Sequence, residues 1–190
     1  MSYPNLTALL EAIIYVAKEP VSVDAMCKAL PDVKRAEIHK ILLELIDSYR
    51  GPEHGIEIRE VADGFRFSTK PEHHEVLKHF IKAQIPHTRL SLAALETLAV
   101  IAYKQPVTVP EIQEIRGVHA SGVIKTLLDK KFITTAGRKE VLGRPILYKT
   151  TREFLIHFGL KDLSDLPSME EFEELIKNQA VAEEEIPEEV

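Results

Sequence analysis

The chain has 190 residues, of which 45% are hydrophobic and 28% charged, so one or two soluble globular domains are expected. No run of about 18 apolar residues is present, which argues against a membrane span. The opening "MSYPNLTALLEAII" has no basic segment before its apolar run, so no secretory signal is expected. The single cysteine, Cys27, cannot close an internal disulfide. Read as a buried structural thiol in "DAMCKAL", it fits a reducing, cytoplasmic compartment.

The net charge of -6 is unevenly spread. Residues 1–88 carry 11 Lys and Arg against 13 Asp and Glu, residues 89–166 carry 12 against 8, and residues 167–190 carry 1 against 9. The middle block is mildly basic and the tail strongly acidic. Neither body has the strongly basic balance of a dedicated nucleic-acid binder.

In chain order, an apolar-periodic helix is expected over 5–18, ending before Pro20. Ser22 then caps a short second helix, "LPDV" makes a turn, and a third helix runs over 34–49. "IEIREV" and "FRFST" follow as two strands, with Asp63-Gly64 as the hairpin signal. Pro71 opens a closing helix, and 83–91 reads as a linker. The order then repeats. A helix over 92–104 stops before Pro106. Thr108 and Glu111 form a capping box with Pro110 in the first turn. A third helix runs over 120–130, "FITTA" and "ILYKT" form a second hairpin, and Thr151 caps a closing helix. Ser168 and Glu171 form another capping box, with Met169, Phe172 and Ile176 on one stripe, before an acidic end that reads as disordered.

The repetition extends to identities. "LLEAIIYVAKEPVSVDAM" at 9–26 aligns with "LETLAVIAYKQPVTVPEI" at 95–112. Leu9, Lys18, Pro20, Val21 and Val23 match Leu95, Lys104, Pro106, Val107 and Val109, and the pattern continues from "FRFSTKPE" to "ILYKTTRE". Three helices followed by a hairpin are the order of a winged helix-turn-helix. The fold class is therefore α+β, mainly α, with tandem winged modules. The divisions are 1–86, 87–167 and a tail at 168–190.

The two first helices are apolar almost all round, so burial on more than one side is expected. In the first, Leu6, Leu9, Leu10, Ile13, Ile14, Val16 and Ala17 cover the core side, while Ala8, Ala12 and Tyr15 lie opposite. A DNA-reading winged helix uses its third helix in the major groove. Here Ile38, Leu42, Leu43, Leu45, Ile46 and Tyr49 face inward, leaving Glu37, Lys40, Glu44 and Asp47 outside. The second copy offers Ser121, Gly122, Lys125 and Asp129, with no Arg, Asn or Gln for bidentate base contacts. In the second wing, Arg138, Lys139 and Arg144 are interrupted by Glu140. No metal site is expected: His74 and His79 would point about 140° apart on a helix. No nucleotide loop, nucleophile elbow or Cys/His pair is found, so no cofactor, small-molecule substrate or enzymatic activity is expected.

"LSLAALETLAVIAYKQPVTVPEIQEIRGV" with "GRKEVLGRPILYKTTREFLIHFGLKDLSDLP" strongly resembles the segregation and condensation protein B family of bacteria, and "LEAIIYVAKEPVS" resembles it more loosely. The resemblance implies a non-enzymatic subunit of the SMC condensin-like complex, cytoplasmic and nucleoid-associated, that supports chromosome condensation and segregation. It implies a homodimer formed chiefly through the N-terminal domains. That dimer would bind the central region of the kleisin ScpA and reach the SMC ATPase through it, with weak or no direct DNA binding. On this reading Leu98, Ile101 and Tyr103 are candidate kleisin anchors, and Arg138, Arg144 and Tyr148 candidate wing contacts. Ala8, Ala12 and Tyr15 are candidate dimer contacts. The rival reading is a tandem winged-helix transcription regulator that binds DNA.

Overall fold

A computed structural model of the chain describes residues 3–82, 90–168 and 171. The first module comprises α1 (Leu6–Val16), α2 (Val23–Ala29), α3 (Arg35–Ser48), β1 (Ile56–Val61) and β2 (Gly64–Thr69). A 3-10 turn at Pro71–His73 leads into α4 (His74–Lys82). The second comprises α5 (Leu92–Lys104), β3 (Val107–Thr108), α6 (Val109–Arg116), α7 (Ser121–Asp129), β4 (Ile133–Arg138), β5 (Ile146–Thr150) and α8 (Arg152–Phe158). The α+β architecture expected from the repeat is thus observed, and each module has its own hydrophobic core.

Local chemistry sets the helix starts. The Asn5, Ser22, Ser91 and Thr151 side chains each accept a hydrogen bond from the backbone N–H three residues on. At α6 the capping box is complete: the Thr108 N–H donates to Glu111 Oε2 at 2.8 Å, and the N–H of Glu111 donates to the Thr108 side chain. The expected box at Ser168 and Glu171 also forms, at 2.8 and 3.2 Å. The stripe assigned to Met169, Phe172 and Ile176, the acidic end, and 83–89 of the linker lie outside the described residues.

In the first core Leu10 and Ile14 of α1 meet Met26, Ile38, Leu42, Leu45, Ile58 and Phe65. In the second Leu98 and Ile101 of α5 meet Ile112, Ile124, Leu127, Ile133, Tyr148 and Phe154. Burying one such aliphatic side chain contributes about 1.5–3 kcal/mol. The two first helices then diverge. α5 is buried at Ala94 and along Thr97–Ala102, because α6, α7 and β5 surround it. α1 buries only Leu10 and Ile14, and Val16, expected in the core, is 78% exposed. Leu43, expected inward on α3, is also exposed, and Cys27 is half-buried rather than buried.

The hairpins are fastened to the helices by main-chain bonds. Val21 and Phe65 exchange N–H···O bonds of 2.9 Å in both directions. In the second module β3 pairs with β5 through Val107 with Tyr148 and Thr108 with Leu147. The first hairpin differs from its sequence signal. Ala62 and Asp63, with φ of 50° and 57°, form the two-residue turn, while Gly64 pairs with Val61 inside the ladder. Gly64 serves close approach instead: a Cβ there would lie 2.7 Å from the Pro20 carbonyl carbon.

The modules touch through a few polar contacts. Arg152 donates to Glu19 at 2.8 Å and to the Pro20 carbonyl at 3.0 Å, the Ala62 N–H donates to the Leu160 carbonyl at 2.9 Å, and Lys161 pairs with Glu60 at 3.2 Å. A cleft of about 720 Å³ runs beside them, between Val21 and Ala25 on one side and Thr151 and Leu155 on the other.

Glu111 links capping and acid sensitivity. The Lys139 ammonium, then the Thr108 hydroxyl and N–H, hold its carboxyl down to about 2 from 4.5. A carboxyl lowered by folding contributes stability that is full above its unfolded value and lost as pH falls through the folded one. The wild-type second module should therefore lose thermal stability between about pH 4.5 and 2. In Glu111→Gln, that part of the acid dependence should vanish in a melting series, with a lower Tm at neutral pH.

Candidate protein-docking surfaces

The exposed third-helix faces have the composition expected from the sequence. Glu37, Lys40, Glu44 and Asp47 are exposed on α3, and Lys40 is paired with Glu44 at 3.7 Å. On α7, Ser121, Gly122, Lys125 and Asp129 are exposed. Three acids against one base repel phosphate on the first face, and the second presents one cation without a planar fork for a base edge.

The second wing is shaped by its own loop. The Lys139 N–H donates to the Pro145 carbonyl and the Arg144 N–H to the Val141 carbonyl, both at 2.9 Å. Arg138 donates to the Arg144 carbonyl at 3.0 Å, and Arg144 sits at φ 40°. Lys139 reaches from the wing to Glu111 on α6 at 2.5 Å. Lys139 thus anchors the loop to α6 and Arg138 braces it from within, while Arg138 and Arg144 both stay exposed and present charge. Between them at the tip stand Val141, half exposed, and Leu142, fully exposed. These two apolar residues were missed in the sequence, although a Val-Leu pair within a polar turn is itself a signal.

The other candidate contacts separate into two groups. Leu98, Ile101 and Tyr148 are 2%, 0% and 8% exposed and belong to the second core. In the single chain they serve the fold: the apolar surplus of α5 is taken up by α6, α7 and β5, and Tyr148 is paired on both sides, with Val107 and Thr135. Tyr103 is half-buried and its hydroxyl donates to the Pro167 carbonyl, tying the end of α5 to the start of the tail. Burial raises its hydroxyl pKa, with the Glu171 charge as a further cause. Ala8, Ala12 and Tyr15, by contrast, are all exposed on α1, and Val16 joins them.

A polar cluster behind α5 was also missed. The Arg116 guanidinium, with its side chain 12% exposed, contacts Glu96 and the buried Thr97 hydroxyl and donates to the Ala93 carbonyl at 2.9 Å. An acid in an otherwise apolar helix was the clue, because a carboxylate there needs a partner. No group of His, Cys, Asp and Glu capable of holding a metal occurs among the described residues. No helix among them is long and apolar enough to cross a membrane.

These features define a class: paired helix-and-hairpin modules that display apolar and basic patches without a base-reading face. The chain belongs to the family of segregation and condensation complex subunit ScpB, whose model matches residues 8–169. It is 44% identical over 177 residues to segregation and condensation protein B of Syntrophotalea carbinolica, covering 93% of this chain and 88% of that one. Among solved structures it is similar to ScpB from Mycobacterium tuberculosis, with 32% identity, 84% and 98% coverage and a TM-score of 0.40. It is also similar to a structure described as a dimer of the ScpB N-terminal domain complexed with an ScpA peptide. That match has 29% identity, 40% and 93% coverage and a TM-score of 0.37. The family assignment rests on the sequence matches.

The Arg116 cluster is structural, and its removal should show as lost stability. Arg116→Ala leaves Glu96 beside apolar surface and should cost about 1–3 kcal/mol in urea unfolding.

Proposed function

We propose that the protein is a non-enzymatic accessory subunit of the bacterial SMC condensin-like complex. It acts as a homodimer that binds the central region of the kleisin ScpA, and so supports chromosome condensation and segregation. The SMC ATPase is reached through the kleisin, and the site of action is the nucleoid in the cytoplasm. The observation that carries this reading is the family match over residues 8–169, nearly the whole of both modules.

The surfaces support an adaptor. Neither third helix suits phosphate and base edges, so contact with DNA is weak and without preferred sequence. Of the candidate kleisin contacts, Arg138 and Arg144 combine exposure with charge, and Leu142 stands between them as an apolar knob. An arginine beside a buried apolar anchor is a strong element in protein recognition. The wing of the second module, assigned here to 87–167, is therefore the proposed kleisin contact. The exposed face of α1 in the first module, assigned to 1–86, is the proposed dimer contact, with Ala8 and Ala12 small enough to let a second helix approach.

Co-purification with a fragment spanning the kleisin's central region tests the function directly; failure to associate would remove the reading. Arg138→Glu with Arg144→Glu should weaken that association about 30-fold or more in calorimetry while leaving the melting curve near wild type. Unchanged affinity would take the wing out of the contact.

Ala12→Glu with Tyr15→Glu should convert the protein to monomers, read as halved mass in light scattering. Dimers that persist would remove the α1 face from the interface.

A further inference from the structure

Each hairpin has one strand fastened to its module and one that ends the sheet. β2 takes backbone bonds from Val21 and β5 pairs with β3, so β1 and β4 are the outer strands. An outer strand offers unpaired N–H and C=O groups to any extended chain. The two modules treat this edge differently. β1 carries Glu57, Arg59 and Glu60. Beside it, Lys161 pairs with Glu60 and the Leu160 carbonyl accepts the Ala62 N–H. Charges along an outer strand discourage further pairing. β4 begins Ile133-Thr134-Thr135-Ala136 and meets no charge before Arg138. Three of those first four residues are β-branched, which favours strands. Among the described residues no backbone bond reaches β4 from any strand but β5.

The ladder fixes which groups face outward. The Thr150 N–H turns away from β4 and donates to Gln105 at 2.8 Å. Opposed residues alternate between bonded and unbonded pairs along an antiparallel ladder. Thr150 with Ile133 is therefore an unbonded pair, and so is Tyr148 with Thr135 two residues on. The N–H and C=O of Ile133 and Thr135 consequently point to the open edge.

Cations frame this edge. Lys131 stands at its start, Lys149 lies opposite Thr134, and Arg138 closes the far end. All three are exposed, and none pairs with an acid among the described residues. Antiparallel pairing with the same edge of a second copy would set Lys131 against Arg138, and like charges face to face are destabilising. The edge suits an extended acidic segment instead.

The chain carries such a segment. Residues 178–190 hold five acids and no base. Within them 180–186 read AVAEEEI, free of Gly and Pro, with Pro187 next. Glu183 and Glu185 fall on one face of an extended chain. The root of the segment lies at the matching end of the module. The Tyr103 hydroxyl holds the Pro167 carbonyl, and Gln105, two residues on, bonds Thr150, the partner of Ile133. Residues 168–179 then reach at most about 40 Å when extended. A tether of this kind gives an effective concentration in roughly the mM range. A segment too acidic to fold alone can still pair, because the preformed edge supplies the main-chain partners.

We propose that residues 180–186 add to the outer edge of β4 as a further strand, with Glu183 and Glu185 set among Lys131, Lys149 and Arg138. The acidic tail thus occupies the basic flank of its own second module, and a partner that needs this flank must displace it.

Amide exchange at Ile133 and Thr135, followed by nuclear magnetic resonance on the full-length chain, tests the assignment. In the wild type both amides should be protected, independently of dilution and less so in high salt. Reversing the tail charges with Glu183→Lys, Glu184→Lys and Glu185→Lys should speed their exchange about 10-fold or more. Lys131→Glu with Lys149→Glu should do the same, and the two sets combined should restore protection. The Thr134 amide, bonded to Lys149 within the ladder, should stay slow throughout and so report an intact wing. Fast exchange at Ile133 and Thr135 in the wild type, or protection that ignores the tail reversal, overturns the proposal. Protection that grows with protein concentration assigns the edge to a second copy and overturns it too. So does protection that appears only when the kleisin fragment is added.

Discussion

The backbone pairing of the segment after each first helix with its own hairpin is the constraint on which the rest depends. Val21 with Phe65, and Val107 and Thr108 with Tyr148 and Leu147, join chain segments some 40 residues apart. Each pairing satisfies backbone groups that would otherwise be buried and unmet. Each also draws the hairpin across the open side of the three helices. The wing then closes the core, and its loop projects at a place set by the helices. In the second module the Gln105 side chain reinforces this pairing, accepting from the Thr150 N–H and hydroxyl at 2.8 and 3.0 Å.

With this common frame, the two modules have divided their surplus apolar surface differently. α5 gives nearly all of it to its own core, and α8 adds an aromatic cap. α1 keeps a strip exposed, and α4 keeps another. The first module is thus the less self-sufficient of the two. Neither third helix offers a groove-reading face, and the proposed function therefore places partner contact on the first module's helices and the second module's wing. The family relationship and the surface chemistry are compatible: the modules keep a helix-and-hairpin order while presenting exposed apolar and basic patches.

Much of this was legible in the sequence because it is local. Thr108, Pro110 and Glu111 specify a helix start within four residues, and α5 and β5 fall where the apolar pattern placed them. The offset between Pro20 and Pro106 gave the repeat. What was not legible depends on residues far away in sequence. An apolar pattern says that Leu98 and Val16 both avoid water, but not which of them its own chain covers. α6, α7 and β5 close over Leu98, while no described element closes over Val16. Asp63-Gly64 signalled a turn correctly but misplaced its centre, since Gly64 is required by the passing Pro20 backbone rather than by turn geometry. Arg116 was overlooked for the same reason: its partners lie on the preceding helix, about 20 residues back.

The contacts between the modules have a consequence for how a partner is held. Arg152 with Glu19 and Lys161 with Glu60 are solvent-facing ion pairs, which water screens into weak contacts. Two bodies joined by these pairs and by two hydrogen bonds to backbone carbonyls can change their spacing at modest cost. A long, flexible ligand touching both bodies meets the second site as an intramolecular event. Its hold is then governed by local concentration and tether length, beyond the strength of either contact alone. Modest individual footholds, suitably spaced, can thereby sustain a durable yet releasable grip.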